Sequence, residues 1–398
     1  MTDDITEKFM ILAEANDLIK CIQYIKYNTT FYDTQIDFKH YKSITPLMIL
    51  CEMNLYNAVR CLLKNNINLN LRDGDGRTAL IYACAVNNQY IAEELIICKA
   101  DVNIQDNNGD TALMYAIRSK DVWRINKLLD ANADVNLSAN GGSTALMAAC
   151  TCGLKDIVIK LIKKGANINA RDKRQSNALT YACLKQYTDI INELLAYNID
   201  VDIQNHDGKT PMLYACIAGQ FDVVLNLIDT MMKTGKHTTL NARDIFGRTA
   251  LMFACSDNME DVVFKLVNMN ADLNYRDTNG NTALITACKY KYTNIINILI
   301  NNNADCNIKN NIDESALSIA INRKLPNIII KLIDNGVVFV DIIDKLYTFE
   351  HVIKHIYRKY HAIIIDVMKD ESIGNIMADC FKITYVPGLV DIIAGYIV

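Results

Sequence analysis

Apolar residues in this chain fall in spaced pairs. Ile157, Val158, Leu161 and Ile162 form one set, Val223, Val224, Leu227 and Ile228 another, and Ile295, Ile296, Leu299 and Ile300 a third. The order i, i+1, i+4, i+5 is a single stripe on an α-helix. Asp156, Asp189, Asp222 and Asp261 stand at the start of such segments, where the positive end of a helix dipole favours a carboxylate. A shorter apolar segment precedes each one. Ala178, Leu179, Ala182 and Cys183 place small and medium groups on one face of a short helix, so a neighbouring helix can approach closely. Gly153, Gly219, Asn87 and Asn258 separate the two segments, where a left-handed turn is easiest.

The two-helix unit returns on a fixed period. Thr45, Thr78, Thr111, Thr144, Asn177, Thr210, Thr249, Thr282 and Ser315 each precede a short helix, and seven of the eight intervals between them are 33 residues. The interval from Thr210 to Thr249 is 39, and its extra residues fall near Met231 to Thr238 as an expected loop insertion. Threonine, serine and asparagine at these points are expected N-caps. Each unit closes on Asn70, Asn103, Asn136, Asn169, Asp202, Asn241, Asn274 or Asn307, usually within the order A-D-V-N. Gly76, Gly109, Gly142, Gly208, Gly247 and Gly280 then mark a β-turn two residues before the next anchor. No unit of this size buries its apolar face alone, so the period predicts a stacked solenoid.

The pattern D-x-x-G-x-T-A-L-x-x-A-C, the paired apolar helix and A-D-V-N together resemble ankyrin repeats. The resemblance implies an all-α ankyrin-repeat solenoid with β-turn fingertips and a helical C-terminal tail. It divides the chain into a degenerate capping repeat over 1–37, nine repeats over 38–340 and a helical cap over 341–398. The nine are 38–70, 71–103, 104–136, 137–169, 170–202, 203–241, 242–274, 275–307 and 308–340. Phe9, Ile11, Leu12, Leu18 and Ile22 are expected to form the cap's apolar face. The histidine usual in this family three residues after the threonine is replaced by Met48, Ile81, Met114, Met147, Thr180, Leu213, Met252, Ile285 and Ser318. Ser43, Gln175 and Asp313 replace the turn glycine, so less regular turns are expected there. Arg124 interrupts the apolar stripe, and Trp123 is expected to cover the gap.

In the family, partners meet the turn tips and the first helices. Carried over position by position, this implies a protein partner contacting Arg72, Arg77, Asp110, Arg174, Lys209 and Arg248 on the tips, which also include Asp73, Gln105, Asp106, Arg171, Asp172, Asp207, Arg276 and Asp277. Tyr82, Tyr115, Tyr181, Tyr214 and Phe253, four residues after their anchors, are expected on the inner, concave face. Tyrosine is enriched in binding hot spots, although the same rings could serve only to pack one repeat on the next.

The chain ends Tyr385-Val-Pro-Gly-Leu-Val-Asp-Ile-Ile-Ala-Gly-Tyr-Ile-Val398. Pro387, Leu389, Ile392, Ile393 and Tyr396 are weakly similar to the opening of an F-box, without its glutamate and one residue short. Ankyrin proteins of large DNA viruses, poxviruses especially, and of some intracellular bacteria end in such a segment. The resemblance implies recruitment of a Skp-type adaptor of a cullin ubiquitin ligase in a host cytoplasm. An apolar helix closing the open end of the stack is the alternative.

Composition narrows the classes. Apolar residues make up 51%, enough for a continuous core, and 41 basic against 45 acidic residues leave a net charge of -4. The mixed charge argues against nucleic acid as a partner. No segment has the length of a membrane span, and Asp3, Asp4 and Glu7 do not suit a signal peptide. Of 13 cysteines, Cys51, Cys84, Cys150, Cys183, Cys216, Cys255 and Cys288 lie six residues after an anchor. Stacking spaces them by about 10 Å, beyond the roughly 7 Å of a disulfide, so they are expected to be reduced core thiols. Cys150 and Cys152 are too few for zinc, and His351 and His355 lack the metalloprotease order. Asp73-Gly-Asp-Gly opens like a calcium loop, but position 84 is cysteine. A monomeric, non-enzymatic, cofactor-free cytoplasmic scaffold is the expectation.

Overall fold

The computed structural model describes residues 2–86, 89–338, 343–346, 348–356 and 358–359. The chain divides into two compact units, Met1–His206 and Asp207–Val398. In the first, α1 (Thr2–Glu14) and α2 (Leu18–Tyr27) are followed by a hairpin of β1 (Ile36–Phe38) and β2 (Tyr41–Ile44). The strands are antiparallel, with Ile36 opposite Ile44 and Phe38 opposite Tyr41. Five helix pairs follow: α3 (Pro46–Glu52) with α4 (Tyr56–Leu62), α5 (Ala79–Ala85) with α6 (Gln89–Ile97), α7 (Ala112–Arg118) with α8 (Val122–Asp130), α9 (Ala145–Cys152) with α10 (Lys155–Lys163), and α11 (Ala178–Lys185) with α12 (Thr188–Ala196). The second unit has four pairs: α13 (Pro211–Ile217) with α14 (Phe221–Thr234), α15 (Ala250–Ser256) with α16 (Glu260–Asn268), α17 (Ala283–Tyr290) with α18 (Thr293–Asn301), and α19 (Ala316–Asn322) with α20 (Pro326–Asp334). A short α21 (Ile343–Leu346) comes after them.

Within each unit the first helices of the pairs stack on one another, and the second helices form a parallel row. Every first helix begins at its anchor. The side chains of Thr45, Thr78, Thr111, Thr144, Asn177, Thr210, Thr249, Thr282 and Ser315 each accept the backbone N–H three residues on. Where histidine is absent, Met48, Ile81, Met114, Met147, Leu213, Met252 and Ile285 are buried. Thr180 and Ser318 instead return a hydroxyl to the cap's own N–H, 3.4 and 2.9 Å away. The stripes Val223, Val224, Leu227 and Ile228, and Ile295, Ile296, Leu299 and Ile300, are wholly buried. Each such side chain contributes roughly 1.5–3 kcal/mol.

Two ladders tie repeat to repeat on the turn side. At the tips, the N–H of Asn107 donates to Asp75 O (2.8 Å), Asn140 to Asn108 (2.7 Å), Lys173 to Gly141 (2.9 Å), Thr278 to Phe246 (2.9 Å) and Asn311 to Asn279 (2.9 Å). Below them, the side-chain oxygens of Asn70, Asn103, Asn136 and Asn169 accept the backbone N–H of Asp101, Asp134, Asn167 and Asp200. Asn241, Asn274 and Asn307 do the same for Asp272, Asp305 and Val338. The recurring asparagine is therefore a connector to the following repeat. A Cβ on Gly142, which has φ +78, would lie 2.9 Å from Asp172 Cα, so glycine there also lets adjacent turns touch.

Several expectations are corrected. Ser43, Gln175 and Asp313 keep the left-handed backbone of the glycines they replace, with φ of 53, 62 and 62. The turns stay regular at the cost of local strain. The cap's apolar face is Phe9, Met10, Ala13, Cys21 and Ile25, closed by Phe31, whereas Ile11 points to solvent and Leu12, Leu18 and Ile22 are half-buried. The helical rotation that buries Phe9 and Met10 carries Ile11 outward. The insertion in the long repeat is not a loop from Met231 on. It extends α14 to 14 residues, buries Met231 and ends at Gly235 with φ +68. Gly153, Gly219 and Asn258 do turn left-handed between helices, while Asn87 lies outside the described residues. The tail readings on residues 360–398 lie outside them too.

Arg124 does not leave a gap, and Trp123 beside it is only half-buried, with Lys127 over its ring at 5.1 Å. Arg124 is 1% exposed. Its Nε donates to Asp121 Oδ2 at 2.9 Å, and its Nη1 donates to the carbonyls of Ala83 (2.7 Å), Cys84 (2.9 Å) and Val86 (2.5 Å). Those carbonyls lie at the C-terminal end of α5, which lacks intrahelical donors and favours a cation. Replacing Arg124 by Met is expected to destabilise the first unit by about 3–5 kcal/mol, because Asp121 is left buried without its partner. The double variant Arg124→Met/Asp121→Ser should recover much of the loss. Denaturant unfolding of the native chain and the two variants checks both outcomes.

Candidate functional site

The expected site lies where each turn meets the first helix of its repeat. An aspartate five residues before the anchor organises this junction. Asp73 Oδ1 accepts the N–H of Asp75 at 3.0 Å and of Arg77 at 2.7 Å, which closes the turn. Its other oxygen accepts the Tyr82 hydroxyl at 2.6 Å. Asp106 repeats the arrangement, with Oδ1 on Asn108 and Asp110 and Oδ2 accepting Tyr115 at 2.8 Å. Asp172 does so for Arg174, Ser176 and the Tyr181 hydroxyl. The tyrosine thus braces the helix against its own turn. Burial, and then the hydrogen bond to the aspartate, hold the Tyr82 and Tyr115 hydroxyls above the usual tyrosine pKa.

A cation lies over the ring in most of these junctions. Arg77 is 6.0 Å from the Tyr82 centroid, Lys209 5.3 Å from Tyr214 and Arg248 4.4 Å from Phe253. In the Tyr115 repeat the position before the anchor is Asp110. Arg118 supplies the cation instead, 5.0 Å from the ring and paired with Asp110 at 2.9 Å. Phe253 has no hydroxyl, and Arg248 takes over its role by binding Asp244 Oδ2 through Nε (3.0 Å) and Nη2 (2.8 Å). Cation–π contacts of this kind contribute about 0.5–1 kcal/mol at exposed sites.

Tyr82 and Phe253 are therefore buried, whereas Tyr115, Tyr181 and Tyr214 keep half-exposed rings. Arg72 holds its own turn through Gly76 O (3.1 Å) and the next through Asn107 Oδ1 (3.3 Å). Arg174 is exposed on its tip. Pro387, Leu389, Ile392, Ile393 and Tyr396 lie outside the described residues. Asp73, Asp106 and Asp172, expected among the tip contacts, are instead buried as organisers of their turns, and sequence reasoning missed Asp244 altogether. Their signal was present, since three of them stand nine residues before a tyrosine and all stand five before the anchor.

The remaining chemistry is sparse. The twelve cysteines among the described residues are free. Burial pushes the Cys84, Cys216 and Cys288 thiols up to about 12, so they stay protonated and weakly reactive. No cluster of three or more metal-binding side chains occurs among the described residues. His355 Nε2 lies 2.9 Å from Asp334 Oδ1, in contact with the end of α20.

Tyr115→Phe is expected to destabilise the first unit by about 1–2 kcal/mol through loss of a hydroxyl donated to a carboxylate, with Tyr82→Phe costing more because that site is drier. A raised folded pKa means the braces are intact below the unfolded tyrosine value near 10 and are lost as pH rises above it. Urea titration of both variants at neutral and alkaline pH checks the size and the sign.

A family model that describes three consecutive ankyrin repeats matches five times, at residues 9–106, 84–172, 170–237, 226–310 and 251–345, which together span most of the chain. No curated protein matches it.

Proposed function

Because this chain belongs to the ankyrin-repeat family, whose members generally serve as protein–protein interaction modules, we propose that it is a non-enzymatic scaffold holding a partner protein on its turn tips and inner-helix faces. The supporting observation is the ladder of backbone hydrogen bonds between successive tips. It fixes the main chain and leaves outward side chains such as Arg174 for recognition. Preorganised contact groups lose little entropy on binding. The half-exposed rings of Tyr115 and Tyr181 are the aromatic contacts of the first unit and that of Tyr214 of the second, while Tyr82 and Phe253 each support their own turn from below. No helix among the described residues is long and apolar enough to cross a membrane. The scaffold works as a cytoplasmic monomer, without nucleic acid, in a compartment that keeps its thiols reduced.

The sequence of Pro387, Leu389, Ile392, Ile393 and Tyr396 supports a second reading, in which the tail delivers the captured protein to a host cullin ligase through a Skp-type adaptor. Affinity capture from eukaryotic lysate by the full-length chain tests both. A protein retained by the native chain and lost on Tyr115→Ala/Arg174→Glu is expected. Retention of the same proteins by that variant contradicts the scaffold reading. Loss of ligase subunits alone on Leu389→Asp/Ile393→Asp is the result expected of an adaptor.

A further inference from the structure

The turns of the two units carry different side chains at equivalent places. At the two tip positions the turns before Thr78, Thr111, Thr144 and Asn177 of the first unit have Gly74 and Asp75, Asn107 and Asn108, Asn140 and Gly141, and Lys173 and Arg174, whereas its first turn has Tyr41 and Lys42. The residues of those four turns are small or polar and suit a turn. The second unit has Ile245 and Phe246, then Thr278 and Asn279, then Asn311 and Ile312. Ile245, Phe246 and Ile312 are 68%, 52% and 73% exposed. Turn geometry does not ask for bulky apolar residues here, and they contribute nothing to the buried core. Ile245 and Phe246 adjoin on one tip and Ile312 stands two tips further on, a row that suits an extended partner more than a compact one.

Cations without a carboxylate partner stand beside them. Arg243 and Arg276 stand at the same register in successive turns, and neither has a carboxylate partner among the described residues. Arg243 lies over Tyr275 at 5.2 Å, and Arg276 bonds Gly280 O and Asn311 Oδ1. The acids of these turns are already engaged: Asp244 by Arg248, Asp277 by its own turn and Asp313 by Lys309. At the root of the turn bearing Ile312, a polar cleft is lined by Lys289, Glu314, Ile319, Asn322 and Arg323. Lys289 donates to Asn281 Oδ1 at 2.8 Å, and Asn310 donates to Glu314 at 3.0 Å, so both sides of the cleft are held. Arg323 is exposed and has no carboxylate partner among the described residues.

We propose that the turn face of the second unit binds an extended acidic segment of a partner protein in which bulky apolar residues recur between carboxylates. The apolar residues cover Ile245, Phe246 and Ile312. The carboxylates meet Arg243 and Arg276, and one enters the cleft at Arg323. Bidentate pairing with carboxylate is what the arginine fork provides. A single nucleic-acid strand fits less well, because strand binding relies on aromatic platforms and two of the three tip residues are aliphatic. This partner chemistry rests on the scaffold reading above.

The test is selection of random displayed peptides on the full-length chain. Enriched peptides should be acidic with spaced apolar residues. Labelled copies should bind more weakly as salt rises. Phe246→Asn/Ile312→Asn and Arg243→Glu/Arg323→Glu should each lower affinity about tenfold or more. The asparagines reproduce residues that other turns carry, and an unchanged thermal melt confirms that the variants fold. Enrichment of basic peptides, affinity unchanged in both variants, or tighter binding of single-stranded DNA overturns the proposal. Binders that depend on Tyr115 and Arg174 instead overturn it while leaving the scaffold reading intact.

Discussion

Each repeat in this chain has one apolar face and nothing of its own to cover it. Packing within a helix pair leaves that face open and burial is completed only between repeats, so the close approach of neighbouring first helices governs everything else. That approach is set by small side chains. Ala79, Ala83 and Cys84 on α5, Ala112 and Ala116 on α7, and Ala145, Ala149 and Cys150 on α9 are buried at the stacked faces. Larger groups there would hold the helices apart and open voids along the row. The cysteines belong to this packing, as compact apolar residues whose thiols burial keeps protonated.

The polar parts of the repeat follow from the same constraint. Helices this short leave many N–H and C=O groups without intrahelical partners. The anchors satisfy the N-termini, Arg124 satisfies the end of α5, and the recurring asparagines join each loop to the next. The Tyr–Asp braces then orient the turns against the helices. Because the turn backbone is held internally and by its neighbours, its outward side chains are free to differ between the two units. The surface can change without changing the stack.

Much of this was legible in the sequence because it repeats. The caps, paired stripes, turn glycines and buried cysteine column each recur at one spacing and report local chemistry. What was not legible depends on partners distant in the chain. Arg124 reads as an interruption until Ala83 and Cys84, about forty positions earlier, are seen to receive it. Ile11 and Met10 exchange roles because α1 contacts α3 and β1 as well as α2. Tyr82 and Phe253 read as contact residues because aromatic rings suit both packing and recognition, and only the positions of Asp73 and Arg248 separate the two uses. The insertion reads as a loop because insertions into a repeat map to loops, yet its first residues, 231–234, continue α14.

The dependence of every repeat on its neighbours is tested most directly by site-resolved alkylation of the native chain, with modified cysteines mapped by mass spectrometry. Cys98 is exposed, whereas Cys84, Cys150 and Cys183 are buried in three repeats of the first unit. Cooperative burial requires those three to react at one shared rate, far slower than Cys98, because they become accessible only when the stack opens as a whole. Alkylation of Cys150 at a rate near that of Cys98, while Cys84 and Cys183 stay protected, would mean that single repeats open independently and would contradict it.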